Sequence, residues 1–182
     1  DIVTSTFMAA TCPKLIAPAM NVNMYDNLAN QRNIERCKTY GIKFVEPGYG
    51  LLACGDVGRG KLADYQDIIT MIEYCMNPKP LKNKYVLITA GPTQEAIDPV
   101  RYITNHSSGK MGYALAKQAF LLGARVTLIT GPTNLKVPYG IKSINITSAR
   151  EMFEAVKENY HDQDFIIKAA AVGDYRPKET AV

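Results

Sequence analysis

The chain lacks the common signatures of a nucleotide or metal site. GxGxxG is absent, and Ser108, Gly109 and Lys110 lack the upstream glycine of a P-loop. No CxxC pair or metal spacing links Cys12, Cys37, Cys54 and Cys75, and His106 and His161 fall into no metal pattern, so no metal ligands are expected. A chain of 182 residues does not depend on disulfides, and the thiols are expected to be reduced. No apolar stretch reaches membrane-spanning length, and the N-terminal DIVTSTFMAATCPK has neither the basic region nor the apolar core of a signal peptide. These absences predict a cytoplasmic protein with no membrane partner. The charge of +4 arises from 21 basic and 17 acidic residues without the runs that mark a nucleic-acid arm, so small anionic substrates are expected and nucleic acid is not.

What is present is enough for a core, since 47% of the residues are hydrophobic. The segment NPKPLKN, 77 to 83, interrupts patterned sequence on both sides and predicts a division into residues 1–76, a linker at 77–84, and residues 85–182. Upstream, LIAPAM (15 to 20) reads as a buried strand, Asn27 to Tyr40 as a helix stopped by Gly41, and IKFV (42 to 45) as the next strand. The segment EPGYGLLACGDVGRGK then reads as a glycine-rich loop, followed by a helix in DYQDIITMIEYCM. Downstream, YVLIT, VTLIT, SINI and DFIIKAAAV read as strands. Helices fill the gaps between them. One runs from about Gly112 to Leu122, and one opens on Ser148 and Glu151 at capping-box spacing. Alternating strand and helix predicts a parallel, doubly wound α/β sheet whose ligands sit beyond the strand carboxyl ends, at Gly91 to Thr93, Gly131 to Thr133 and Ala169 to Asp174. The order strand, loop, Ser107–Ser108–Gly109–Lys110, helix aims amides and a helix N-terminus at one place, which suits a phosphate.

Four motifs carry a resemblance. In the first half, PAMNVNMY (18 to 25) resembles a PxMNxxMW motif and GLLACGDVGRG (50 to 60) resembles a cysteine-bearing substrate flap. In the second half, AIDPVRYITNHSSGKMG (96 to 112) and AAAVGDYRP (169 to 177) resemble two ligase signatures. With all four, the chain resembles the bacterial bifunctional flavoproteins of coenzyme A biosynthesis, which join a phosphopantothenoylcysteine decarboxylase to a phosphopantothenate cysteine ligase. Tyr25 stands for the usual tryptophan, Gly173 for a common alanine and Pro92 for a frequent glycine. The resemblance implies two Rossmann-like or flavodoxin-like three-layer units, both incomplete in this chain. The segments for a flavin phosphate site and a catalytic histidine would precede it, and a lysine motif would follow it.

The chemistry that follows is what the resemblance implies. In the first half, flavin mononucleotide (FMN) would oxidise the thiol of phosphopantothenoylcysteine so that its carboxylate leaves as carbon dioxide, and the enethiolate would then be reduced to phosphopantetheine. Cys54 is the expected proton donor, and Gly55, Gly58 and Gly60 would let its loop open and close. Asn21 is the candidate for the reacting carboxylate, Met20 for a flavin contact, and Met24 for the core. In the second half, phosphopantothenate would attack CTP, with Mg2+ arriving on the nucleotide, and cysteine would displace CMP. Asn105 would act on the acyl-cytidylate, Ser107, Ser108, Gly109 and Lys110 would bind phosphate, and Lys168, Ala169, Ala170 and Asp174 would surround the cytosine nucleotide. Arg101 and Arg176 could neutralise phosphates, although arginines near loops are often just exposed. Self-association into homo-oligomers is expected of the family.

Plain structural readings stand beside these. Cys54 could be a small buried residue, Asn21 or Asp174 a turn cap, the serine cluster a simple helix cap, and Lys110 a surface charge. Two other functions also stand. A nicotinamide-dependent Rossmann oxidoreductase is disfavoured by the missing glycine fingerprint, and a non-catalytic flavoprotein-like regulatory subunit would be told apart by inactivity of the longer polypeptide.

Overall fold

Asp1 starts the first helix, its carboxylate accepting from the Thr4 amide at 2.9 Å, and α1 runs Ile2–Ala9 with no buried residue. The structure, a computed structural model, describes residues 1–179 and divides into two units, Asp1–Met76 and Asn77–Val182.

In the first unit, β1 (Leu15–Ile16) pairs in parallel with β2 (Lys43–Phe44), and α2 (Val22–Asp26) and α3 (Leu28–Thr39) lie between them in sequence. The expected strand, helix, strand order is present, but the first strand is short. LIAPAM stops pairing after Ile16, where Pro18 can supply no ladder hydrogen bond. Asn27 caps α3 by accepting from the Ala29 amide at 2.9 Å.

The segment read as a loop is an antiparallel hairpin, β3 (Gly48–Leu51) with β4 (Val57–Lys61). Its glycines hid it, because glycine disfavours strands, yet here glycine is required. A Cβ on Gly60, at φ +128°, would lie 2.1 Å from the Met20 carbonyl oxygen, and one on Gly58 would lie 2.8 Å from Val22. The expectation that Gly58 and Gly60 supply freedom to open is therefore corrected to close approach. Gly55 alone of the three meets nothing within 4 Å. The unit ends in α4 (Tyr65–Met76).

The second unit contains β5 (Tyr85–Ala90), a hairpin of β6 (Gln94–Ala96) and β7 (Tyr102–Thr104), α5 (Lys110–Leu121), β8 (Arg125–Thr130), β9 (Lys142–Asn145), α6 (Ala149–Asn159) and β10 (Phe165–Lys168). Four of these strands form one parallel sheet in the order β10-β5-β8-β9. Successive strand residues face opposite ways. Val86, Ile88 and Ala90 with Val126 and Leu128 pack against Tyr113, Ala116 and Ala119 of α5, whereas Leu87 and Ile129 pack against Met152 and Ala155 of α6. A helix on each face explains why β5 and β8 read as unbroken apolar runs. Each fully buried Leu or Ile there contributes about 1.5–3 kcal/mol.

Ser148 caps α6 as its spacing predicts: Glu151 N–H donates to Ser148 Oγ at 3.2 Å, while the Glu151 carboxylate reaches back to accept from Ser148 Oγ at 3.0 Å and from the Thr147 amide at 2.8 Å, one residue before the N-cap amide of a strict capping box. The stretch read as a linker is held within this unit, since the Leu81 amide donates to Leu122 O at 3.0 Å and Leu81 packs on the α5 core. No helix among the described residues is long and apolar enough to cross a membrane.

Candidate functional site

The first unit gathers Asn21, Cys54 and Asp56. Met20 N–H donates to Gly60 O at 2.9 Å, fastening β4 beside the residue that caps α2. The turn joining β3 to β4 is closed by Leu52 N–H to Asp56 O at 2.8 Å and Gly55 N–H to Leu52 O at 2.9 Å. Cys54 rides on that turn. Asn21 Oδ1 accepts from the Asn23 amide at 2.9 Å and caps α2, so the plain reading holds for one end of its amide. The other end points to the flap: Nδ2 donates to Asp56 Oδ2 at 3.0 Å and lies 3.3 Å from Cys54 Sγ. Cys54 is exposed, contrary to the reading of a small buried residue, and its thiol donates to Asp56 Oδ2 at 3.4 Å.

Asn21 and Cys54 border a cavity of about 480 Å3 whose walls also include Met20, Leu52, Lys61 and Leu62. That volume falls in the range of small-molecule sites. Met20 is half-buried and its sulfur accepts from Asn30 Nδ2 at 3.5 Å. Met24 is 61% exposed, which corrects its assignment to the core; α2 buries only Tyr25.

In the second unit the strand carboxyl ends meet. Ala171 N–H donates to Gly91 O at 2.9 Å, Thr93 N–H to Ala171 O at 3.2 Å, and Gly173 N–H to Thr93 Oγ1 at 2.8 Å. From β5 the chain adds β8 and β9 on one side and then returns to place β10 on the other, so this crevice lies where the strand order reverses. Asn105 Nδ2 donates to the Ala171 and Val172 carbonyls, each at 3.2 Å, which joins the two ligase-like motifs.

The plain capping role for a serine is not observed: Gly109, at φ +74°, is the N-cap of α5 and no side chain caps it. The Gly109 amide instead donates to Ser107 Oγ at 3.4 Å, and Ser108 and Lys110 are exposed. A Cβ on Gly109 would lie 2.9 Å from Thr133 Cγ2 and 3.3 Å from Gly91 N, so the start of α5 is pressed against both strand-end loops.

Lys168 and Ala170 line a cavity of about 340 Å3 with Met152, Phe153, Val156 and Val172. Ala169 donates its amide to Thr89 O at 3.1 Å, and Asp174 is exposed. The Arg101 guanidinium lies 2.6 Å from Asp98 Oδ2 and holds that carboxyl below the usual carboxylate range.

Sequence reasoning does not single out Asp56 or Glu95. Glu95 is 5% exposed and accepts from the Ala149 amide at 2.8 Å, pinning the start of α6 to the β6–β7 hairpin. A carboxylate immediately after a strand-end loop gives no signal of burial. Asp56, two residues past a candidate cysteine, could have been flagged by proximity alone.

A family model described as "DNA/pantothenate metabolism flavoprotein C-terminal domain" matches residues 81–182. The chain belongs to this family. A second model, "Flavoprotein", matches residues 1–77. This member of the DNA/pantothenate metabolism flavoproteins is 50% identical over 181 residues to the coenzyme A biosynthesis bifunctional protein CoaBC of Vibrio vulnificus (strain YJ016), a match covering 100% of this chain and 45% of that one. It is 52% identical over 182 residues to CoaBC of Bacillus subtilis (strain 168), covering 98% of this chain and 45% of that one. The crystal structure of the C-terminal domain of a CoaBC protein superposes with a TM-score of 0.54 at 54% identity, covering 56% of this chain and 52% of that chain. The chain thus spans about half the length of the curated relatives it matches. The family resemblance read from the four motifs holds, and neither the nicotinamide-dependent nor the regulatory alternative is favoured.

Proposed function

We propose that this chain is the middle of a bifunctional enzyme of coenzyme A biosynthesis, in which a CTP-dependent ligase makes phosphopantothenoylcysteine and a decarboxylase converts it to phosphopantetheine. The observation that carries the reading is the meeting of Asn21 with Cys54 beside a small-molecule cavity, in a chain that carries both family domains.

In the first unit, a largely apolar wall with one amide, one thiol and Lys61 suits the reacting end of an acylcysteine and one face of a flavin ring, with Met20 and Asn21 as its contacts. FMN would supply the two-electron oxidation and its reversal. Asn21 would bind the carboxylate that departs as carbon dioxide. Cys54 would give its S–H proton to the enethiolate carbon.

In the second unit, Ser107, Ser108, Gly109 and Lys110 would bind phosphate with the uncapped amides of α5. Lys168, Ala169, Ala170 and Asp174 would surround the nucleotide, whose Mg2+ offsets the triphosphate charge. Asn105 would exchange its bonds to the Ala171 and Val172 carbonyls for one to the acyl-cytidylate. The reading includes a three-layer, flavodoxin-like completion of both units, homo-oligomeric assembly and a cytoplasmic setting.

The test is Cys54→Ser in the full-length polypeptide. Carbon dioxide release from phosphopantothenoylcysteine is expected to persist while phosphopantetheine formation falls by about 100-fold or more. An unchanged yield of phosphopantetheine removes Cys54 from the chemistry.

A further inference from the structure

The contact between Asn21 and Cys54 has a third member that the proposed chemistry does not use. Asp56 Oδ2 accepts from both, at 3.0 Å from Asn21 Nδ2 and 3.4 Å from Cys54 Sγ. One carboxylate oxygen therefore holds the two groups together. The sulfur in turn lies 3.3 Å from the Asn21 amide nitrogen, so Cys54 Sγ accepts from Asn21 and donates to Asp56 within a closed triangle of three hydrogen bonds. These two hydrogen bonds restrict a thiol that is otherwise exposed and free to change rotamer.

The backbone supports this placement. Leu52 N–H to Asp56 O closes the turn, and Met20 N–H to Gly60 O ties the following strand to the residue before Asn21. The aspartate is thus held at both its main chain and its side chain. A hydrogen bond to a charged acceptor contributes more than a neutral one, which suits Asp56 rather than a hydroxyl or amide at this point.

We propose that Asp56 is a positioning residue: its carboxylate fixes the Cys54 thiol against the Asn21 amide at the wall of the cavity, so that the sulfur is in place before substrate arrives. This rests on the functional reading above. The account is one of placement alone and moves no electrons. Loss of Asp56 should therefore free the sulfur to leave that place and meet solvent more often.

The experiment uses the full-length polypeptide with Asp56 intact, as Asp56→Asn and as Asp56→Ala. Iodoacetamide labelling of each cysteine is followed by peptide mass spectrometry in the absence of substrate and added flavin. Cys54 labelling is expected to rise about threefold or more in Asp56→Ala and to a lesser degree in Asp56→Asn, while Cys12, Cys37 and Cys75 keep their rates. A Cys54 rate unchanged in both variants overturns the proposal. So does a rise shared by all four cysteines in Asp56→Asn, since that reports general loosening.

A second readout partitions the decarboxylated product. Asp56→Ala should shift it toward the unreduced enethiol by about tenfold at retained carbon dioxide release. An unaltered polypeptide that makes no phosphopantetheine sinks the functional reading; the labelling result judges Asp56 separately.

Discussion

Tyr25 is 5% exposed and its hydroxyl donates to Glu46 Oε2 at 3.1 Å. Burial first, and then the Glu46 carboxylate, push its phenol up from the ordinary value of 10.0. A group whose folded value is raised gives its full stabilisation below the unfolded value and loses it as pH rises through the folded one. The stability difference between the unaltered protein and Tyr25→Phe should therefore be constant below about pH 10 and shrink above it. Urea midpoints measured across that range check this, and a difference that holds to about pH 11 would contradict it.

At this scale, Asn21, Cys54 and Asn105 each stand out in the sequence because each sits in a long motif, and the structure brings Asn21 to Cys54 and Asn105 to the Ala171 and Val172 carbonyls. Asp56 and Glu95 do not stand out. Their roles depend on where one carboxylate oxygen points, and an aspartate in a glycine-rich turn reads first as a turn former. That Asp98 pairs with Arg101 is likewise visible only in the fold.

Among the elements, those with strong local patterns were readable. Buried strands β5 and β8 announce themselves as apolar runs, and α6 by its capping-box spacing. Helix α1 gave no signal because it buries nothing, and β6–β7 are three-residue strands with little periodicity. The β3–β4 hairpin was concealed by glycines whose purpose is contact.

That purpose is testable. Gly60→Ala would place a methyl 2.1 Å from the Met20 carbonyl oxygen. Hydrogen exchange at the Met20 amide should speed up by about 30-fold or more, as strain on the order of 2 kcal/mol opens its bond to Gly60. Gly55→Ala, with a positive φ but open space, should cost only about 1 kcal/mol and leave that amide protected. Equal effects of the two substitutions would refute the close-approach account.

On the scale of the whole molecule, the sheet order β10-β5-β8-β9 places the first and last strands of the second unit side by side. The alternation of strand and helix predicted a parallel sheet, but strand order requires knowing which side each crossover takes, and no local pattern records that. Order is what creates the crevice at Gly91 and Ala171. The first unit shows the opposite limit, with two parallel strands of two residues each and a hairpin. Its cavity is bordered by motif residues, and this chain spans about half the length of its curated relatives, at 45% of the Vibrio vulnificus protein.

The central claim is that the two halves serve successive steps. It is tested most directly by giving the full-length polypeptide phosphopantothenate, cysteine, CTP and magnesium and quantifying the products by mass spectrometry. The account predicts one CMP released for each phosphopantetheine formed. Phosphopantetheine without CMP, or no phosphopantetheine from a folded, flavin-loaded protein, would contradict it.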